Sequence, residues 1–206
     1  MDVYFAPLAC SLATRIALYE ANAPARFIYV DLQAKRTEAG EDFLAINPVG
    51  QVPAVRLESG EVFTENSAIL SYLADRFGAA GDALSRAQLA RWIGFINSEL
   101  HTGAFTAILD EKSPAEAKAY ALERAASRMK LLDAHLKGRE FLLDHYSVAD
   151  GYLLTIMNWT QVRGPALSDY PALNDYIARL RARPAIAKAL GEELPLYFEE
   201  QKRRAA

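Results

Sequence analysis

The chain has 206 residues, of which 51% are hydrophobic and 24% are charged. This composition is ordinary for a globular protein. A formal net charge of −3 without a long basic run disfavours nucleic-acid binding, because phosphate contacts need clustered Lys and Arg. The single cysteine, Cys10, excludes an internal disulfide framework and suits a cytoplasmic setting, and no apolar stretch is long enough to predict a membrane span.

The first residues predict a βαβ unit. Val3–Phe5 is a short apolar run typical of a buried strand, and the apolar spacing from Ser11 to Asn22 is helical. Phe27–Val30 is β-branched and aromatic, which predicts a second strand. Strand, helix and strand within about 30 residues predict that the two strands are parallel.

The rest of the first 78 residues predicts a hairpin flanked by helices. Residues 35–41 are polar and are interpreted as a loop, and 42–46 predict a short helix. Residues 54–57 and 61–63 flank a turn that contains Gly60, which predicts a β-hairpin. An amphipathic helix over 66–77 is expected to end at Gly78.

The remainder of the chain predicts a linker and then only helices. Residues 79–84 are small and irregular, as in a linker. Helical patterns then cover roughly 85–110, 114–137, 147–163 and 171–190, with breaks at glycine and proline. Ser147 and Asp150 predict a capping box at the start of the third of these helices. The charged residues 199–206 are expected to fray.

Cys10 is a candidate reactive residue, because it lies between the first strand and the first helix, with Ser11 as the expected N-cap. A thiol at this place is expected to feel the positive end of the helix dipole, which would lower its pKa and favour the thiolate. The alternative is a small, half-buried apolar side chain. Since no second cysteine stands three residues away, a dithiol redox motif is excluded, but monothiol exchange remains open.

Two further segments together predict a receptor for a small peptide with a free carboxyl end. Pro53 heads a predicted strand, and a cis bond before it would leave the N–H and C=O of Val52 free to pair with an extended peptide. Glu65 precedes a helix whose first amides, those of Asn66 and Ser67, could hold a carboxylate. Glu65 could then accept from an ammonium group, although dipole compensation alone would also explain it.

The other ionisable side chains carry weaker signals. Lys35, in the polar loop, is either solvated or reaches the anionic end of a ligand. His101 lies near the middle of a predicted helix, where a lone histidine is more often structural than catalytic. His135 and His145 lie near helix ends, and no spacing of histidine and cysteine matches a metal site, so none is predicted.

These features, in this order, resemble the cytosolic glutathione transferases, and most of all their bacterial beta class. The Asn-Pro-x-Gly-Gln-Val-Pro run at 47–53 is the most specific match. The resemblance spans nearly the whole chain, and its matching stretches are residues 7–12, 42–53, 64–65, 72–75, 141–142 and 147–150.

The resemblance implies an α/β thioredoxin-like domain over 1–78 and an all-α domain over 85–206 that contributes the electrophile pocket. It implies a homodimeric glutathione S-transferase that conjugates the glutathione thiolate to small hydrophobic electrophiles, in detoxification. Glutathione would be the co-substrate. The protein would use no metal and would bind neither nucleic acid nor a membrane. Glutathione-dependent disulfide exchange or peroxide reduction through Cys10 stays open, and so does a non-catalytic interaction protein on the same scaffold.

Six residues are implied to bind glutathione: Lys35, Gln51, Val52, Pro53, Glu65 and Asn66. Lys35 and Gln51 would approach the glycyl end or the adjoining backbone. Val52 would bind the cysteinyl part through its backbone, next to Pro53 in the cis form. Glu65 and Asn66 would hold the γ-glutamyl end, although relatives often carry Ser or Gly in place of Asn66.

Three residues are implied to be catalytic: Cys10, Ser11 and His101. Cys10 would lie beside the glutathione sulfur and could form a mixed disulfide with it, with Ser11 at the adjoining helix start. His101 would face the sulfur from the helical domain. Two departures concern this region, since Thr102 stands where some relatives have Lys, and Gly94 where some have Asn.

Overall fold

The computed structural model describes residues 1–78 and 81–205, and the chain folds as two compact units. The first unit contains Met1–Phe77 together with Arg183 and the residues after it, and the second is Gly78–Ala182. The predicted fold class, an α/β half followed by a helical half, is confirmed. Of the predicted linker, residues 79 and 80 lie outside the described residues, and helix α4 already begins at Ala83.

A five-stranded sheet in the order β3-β2-β1-β4-β5 lies at the centre of the first unit. Its strands are β1 (Asp2–Phe5), β2 (Arg26–Asp31), β3 (Arg36–Thr37), β4 (Ala54–Arg56) and β5 (Val62–Phe63). β1 and β2 are parallel, as predicted, and the other neighbours are antiparallel. The predicted loop over residues 35–41 is wrong at β3, because two residues are too short for an alternating pattern to reveal a strand.

Within its described residues, the first unit also contains the helices α1 (Leu12–Glu20), α2 (Phe43–Ile46), α3 (Asn66–Arg76) and α9 (Pro184–Ala205). The predicted helix over 171–190 is wrong, because α8 ends at Arg181 and Pro184 opens α9 at a position where its missing N–H costs nothing. The predicted fraying from residue 199 is also wrong, since α9 continues to Ala205. A core of apolar residues includes Tyr4, Ala6, Val30, Phe43, Ile46, Val52 and Ala54.

The placement of residues 183–206 in the first unit differs from the sequence-based expectation, which assigned all of residues 85–206 to the helical domain. The difference arises because α9 packs with α1, where Arg15 is paired with the fully buried Glu193. A buried pair of this kind holds the last helix to the first unit as long as both charges stay satisfied.

Among the described residues, the second unit consists mainly of helices. They are α4 (Ala83–Phe95), a π-helical segment (Ile96–Phe105), α5 (Thr106–Leu109), α6 (Ala115–Leu136), α7 (Val148–Asn158) and α8 (Pro171–Arg181). The π-helical segment depends on Gly103, because a Cβ there would lie 2.2 Å from the carbonyl oxygen of Ser98. Such segments often occur at functional sites, and this one carries His101.

The predicted capping box at the start of α7 is confirmed. The carboxylate of Asp150 accepts from the N–H of Ser147 at 2.8 Å and from its hydroxyl at 2.9 Å. It also accepts from the N–H of Leu142 at 2.9 Å and from the hydroxyl of Tyr176 at 2.6 Å. Burial raises the pKa of Asp150, against the effect of these four donors.

Candidate functional site

The turn between β1 and α1 carries Cys10, which is half-buried. Its thiol donates to the carbonyl oxygen of Val52, with Sγ and O 3.0 Å apart. The fully buried hydroxyl of Ser11 shapes the turn, because it accepts from the N–H of Ala6 at 3.3 Å and donates to its carbonyl at 3.2 Å. Ser11 is the N-cap of α1, as predicted, and its hydroxyl is already used within the turn.

The expected thiolate at Cys10 is wrong. Burial raises the pKa of the thiol to about 12, whereas the N–H groups of Cys10 and Ser11 lower it by less, and the charge of Glu65 raises it further. The start of α1 stabilises the thiolate through two amides only. This stabilisation is smaller than the cost of removing the anion from water. In this structure Cys10 is a hydrogen-bond donor and not a ready nucleophile.

The backbone of Val52 forms an open edge beside this thiol. The bond between Val52 and Pro53 is cis. The side chain of Val52 is buried in the core, which fixes the position of its backbone. Within residues 1–78 and 81–205, no hydrogen bond of the Val52 N–H is found, so that this donor is available to a ligand.

Lys35 and Gln51 come together at the next part of this edge. The Nζ of Lys35 donates to the backbone carbonyl oxygen of Gly50 at 2.8 Å. The side-chain amide of Asn47 donates to the backbone carbonyl oxygen of Gln51 at 2.8 Å. A Cβ on Gly50 would lie 3.2 Å from the lysine stem and 3.0 Å from Leu44. The glycine therefore lets the ammonium group lie next to the exposed Gln51.

Glu65 and Asn66 begin α3 in an unusual way. Glu65 has φ +63 and ψ 111, a conformation that is uncommon outside glycine, and its exposed side chain makes no capping hydrogen bond. Simple helix capping therefore does not account for it, and strain of this kind concentrates at functional positions.

The side chain of Asn66 is committed to the fold. It accepts from the hydroxyl of Thr14 at 3.1 Å and donates to the carbonyl oxygen of Cys10 at 3.2 Å. Only the backbone N–H of Asn66, one of the unpaired amides at the start of α3, remains for a ligand. No sequence pattern pointed to Thr14, because nothing in its spacing links α1 to α3.

His101 belongs to the second unit and lies in a hydrogen-bonded aromatic cluster. Its Nδ1 is 2.8 Å from the hydroxyl of Tyr152, which donates to Oδ1 of Asn97 at 3.0 Å. Its ring meets that of Trp159 edge to face, with centroids 5.1 Å apart. Burial lowers the pKa of His101 to about 4, so that the imidazole is neutral at pH 7.

Metal binding and membrane insertion find no support in the described ranges, 1–78 and 81–205. They contain no group of three or more His, Cys, Asp or Glu side chains that could hold a metal ion. Over the same ranges, every helix is too short or too polar to cross a membrane.

Comparison with known proteins places the chain in a family. The family model of the glutathione S-transferase N-terminal domain matches residues 9–76, and that of the C-terminal domain matches residues 95–184. The glutathione S-transferase GstA of Escherichia coli O157:H7 is 33% identical over 199 residues, which cover 94% of this chain and 98% of that protein.

Two solved structures are similar over almost their full length. A sphingomonad glutathione S-transferase complexed with glutathione is 42% identical, with a TM-score of 0.89 over 94% of this chain and 98% of that one. The beta class enzyme of Sphingomonas chungbukensis is 39% identical, with a TM-score of 0.89 over 94% and 98% of the two chains. This chain therefore belongs to the glutathione S-transferase family. The resemblance seen in the sequence, the likeness to the beta class and the prediction of an enzyme of this family are all confirmed.

Proposed function

We propose that this protein binds glutathione at the first unit and conjugates its thiolate to small hydrophobic electrophiles. The observation that carries the proposal is the 3.0 Å contact between Sγ of Cys10 and the carbonyl oxygen of Val52. Because an extended peptide pairs with an open backbone edge, the thiol of a bound cysteinyl residue would come close to Cys10.

The three parts of glutathione each find a suitable partner in the proposed site. The γ-glutamyl ammonium is bound by the carboxylate of Glu65, and its carboxylate by the first amides of α3, including that of Asn66. The cysteinyl part pairs with the Val52 backbone next to Pro53. The glycyl carboxylate meets the ammonium of Lys35 and the side chain of Gln51, with a charge-assisted hydrogen bond from the lysine.

Activation of glutathione requires that its thiol lose a proton near neutral pH. A free thiol has a pKa of about 8.5, and lowering it by two units stabilises the thiolate by roughly 2.7 kcal/mol. We assign part of this to a protonated Cys10, whose S–H can turn from Val52 to the glutathione sulfur, with the amides at Ser11 adding their partial charge. His101, neutral at pH 7, is the proposed catalytic residue of the second unit.

Disulfide exchange or peroxide reduction through Cys10 is the second candidate, and the protonation state disfavours it. These reactions need a thiolate, and with a pKa of about 12 only about one thiol in 10⁵ is ionised at pH 7. The two functions are separated by comparing turnover of a glutathione mixed disulfide with turnover of an aromatic halide. Turnover of the disulfide alone would overturn the proposed conjugation.

A non-catalytic interaction protein on this scaffold is the third candidate. Fold alone does not exclude it, because one scaffold can host unrelated functions. The complete set of ligand groups at Val52, Glu65 and Lys35 favours glutathione binding instead. Absence of binding at millimolar glutathione would favour the interaction protein.

We also propose that the protein is a cytoplasmic homodimer. In the second unit, Tyr120 and Leu131 lie on one face of α6, about three helical turns apart. They are 66% and 52% exposed, which is high for large apolar side chains. A second copy of the chain is the proposed cover of this face.

A further inference from the structure

The last helix of the chain contacts the turn that carries Cys10. Glu193, on α9, is fully buried. Its Oε2 accepts from the N–H of Leu8 at 2.8 Å, and its Oε1 accepts from Nε of Arg15 at 2.8 Å. A residue far along the chain thus supplies a charged acceptor to a backbone amide two positions before the thiol.

Leu8 needs such a partner. Its φ of +56 is in the left-handed region, which a leucine adopts only where the surrounding structure compensates for the strain. The bond to Glu193 is charge-assisted, and such bonds are roughly twice as strong as neutral ones. The turn is also held where Ser11 bonds to Ala6, where the N–H of Ala9 donates to the Ala6 carbonyl, and where the side chain of Asn66 donates to the Cys10 carbonyl.

The surroundings of Glu193 keep its carboxylate in one place. The guanidinium of Arg15 is itself buried, with its central carbon 3.8 Å from the ring centroid of Phe27 and 4.4 Å from that of Phe5. Its Nη1 donates to Glu192 at 2.8 Å. A buried, stacked arginine has no freedom to follow a moving carboxylate, so the pair is a rigid support.

We propose that Glu193 is a positioning residue for Cys10, which fixes the thiol against Val52 by holding the strained backbone of Leu8. Loss of this acceptor lets the turn relax. Cys10 then leaves Val52, becomes more accessible, and stands in the wrong place for bound glutathione. The effect on turnover rests on the proposed function, whereas the effect on the free thiol does not.

The charged state of Glu193 gives this role a pH signature. Burial raises its pKa to about 7, while Arg15 and the Leu8 N–H act in the opposite direction. The groups that face it are Arg15 from α1 and, beyond it, Tyr19 from α1 and Glu192 from α9. Because a protonated carboxyl is a weaker acceptor, the hold on Leu8 weakens as pH falls through this value.

The test compares three variants by the rate at which iodoacetamide alkylates Cys10 in the folded protein, well below each melting temperature. Glu193→Leu removes the acceptor and should raise the rate about tenfold, as expected when a local opening loses one charge-assisted hydrogen bond. Glu192→Gln is the matched control, since it also weakens the Arg15 network but does not contact Leu8. Its rate should stay within about twofold of the wild type, within the usual scatter of such effects.

The pH profile supplies a readout that a purely stabilising role would not change. Below its pKa, a thiol normally reacts about tenfold more slowly for each unit of pH lost. In the wild type the slope should become shallower below pH 7, where Glu193 is protonated. In Glu193→Gln, which keeps an oxygen for Leu8 but has no charge to lose, the slope should be constant.

Two results would overturn the proposal: equal rates in Glu193→Leu and Glu192→Gln, or the same pH profile in the wild type and Glu193→Gln. If Glu193→Leu does not fold, its alkylation rate is replaced by a second measurement, the rate of hydrogen exchange at the Leu8 amide in Glu193→Gln and in Glu192→Gln. Exchange at least about threefold faster in Glu193→Gln than in Glu192→Gln supports the role, because a neutral acceptor is weaker, and equal exchange refutes it. None of these outcomes requires glutathione turnover, so they are distinguishable from failure of the proposed function.

Discussion

Cys10 combines two influences that oppose each other at the scale of one residue. Its place at the start of α1 favours a thiolate, and the sequence shows this place directly. Its burial against Val52 favours the thiol, and burial depends on residues more than 40 positions away, which no local pattern shows. The role of Cys10 therefore stays a prediction, whereas the protonation state expected from the sequence is wrong.

The protonated state of Cys10 predicts how its reactivity depends on pH. Because burial raises its pKa to about 12, alkylation should become faster by about tenfold per unit from about pH 8 to about pH 10, without a plateau. Rates measured over this range with the native protein, against free cysteine as reference, would check it. A rate that levels off above about pH 9, like that of free cysteine with its pKa of about 8.5, would show that the thiol is not held by burial.

His101 predicts a pH dependence of stability. Its folded pKa, lowered by burial to about 4, is below the unfolded value of about 6.5, so the neutral imidazole favours folding. This contribution is complete above pH 6.5 and is lost as pH falls towards 4, by up to about 3 kcal/mol. The free energy of unfolding should therefore fall more steeply over this range in the wild type than in His101→Asn. Parallel curves for the two proteins would contradict the low pKa.

At the scale of elements, the start of α7 depends on Asp150 more than on Ser147. Asp150→Ala leaves the hydroxyl of Tyr176 and the N–H groups of Leu142 and Ser147 without their acceptor in a buried place. We expect a loss of about 3 to 5 kcal/mol in the free energy of unfolding. Ser147→Ala, the control, should cost about 1 kcal/mol. Equal losses in denaturant unfolding would mean that the carboxylate is not the central acceptor.

The sequence predicted most elements because their patterns are long or strongly marked. The parallel pair β1 and β2 followed from the βαβ order, and the cap of α7 from two residues at the right spacing. β3 was missed because it has only two residues. The π-helical segment was missed as well, since its wider turns depend on the space that Gly103 leaves and not on a change of apolar period.

The site was predictable to a similar extent. Val52 and Glu65 stand in motifs whose backbone chemistry is local. In the described residues the Val52 N–H makes no hydrogen bond and the Glu65 side chain makes no capping bond, but the Val52 C=O, expected to be free, accepts from the Cys10 thiol. Asn66 was expected to hold the γ-glutamyl end, and its side chain is engaged elsewhere, with Thr14 and the Cys10 turn, which no local pattern showed. Glu193 was missed, because only the folded chain brings a glutamate of α9 to Leu8.

At the scale of the whole molecule, the proposed homodimer gives a direct prediction. Tyr120→Glu combined with Leu131→Glu places two charges on the apolar face of α6, and burying them in an interface would cost several kcal/mol. We expect a dimer for the wild type and a monomer for the double variant in sedimentation at micromolar concentration. Val162→Glu, at another exposed apolar residue of the second unit, is the control and should remain dimeric.

The central claim is that the open edge at Val52 and the start of α3 form a glutathione site. The most direct measurement is calorimetric titration of the reduced protein with glutathione, for the wild type, Glu65→Ala and the control Glu61→Ala. We predict micromolar to low-millimolar binding, weakened at least about tenfold in Glu65→Ala by loss of a charge-assisted hydrogen bond and unchanged in Glu61→Ala. Absence of heat and of thermal stabilisation in the wild type, or equal binding by all three proteins, would contradict the claim.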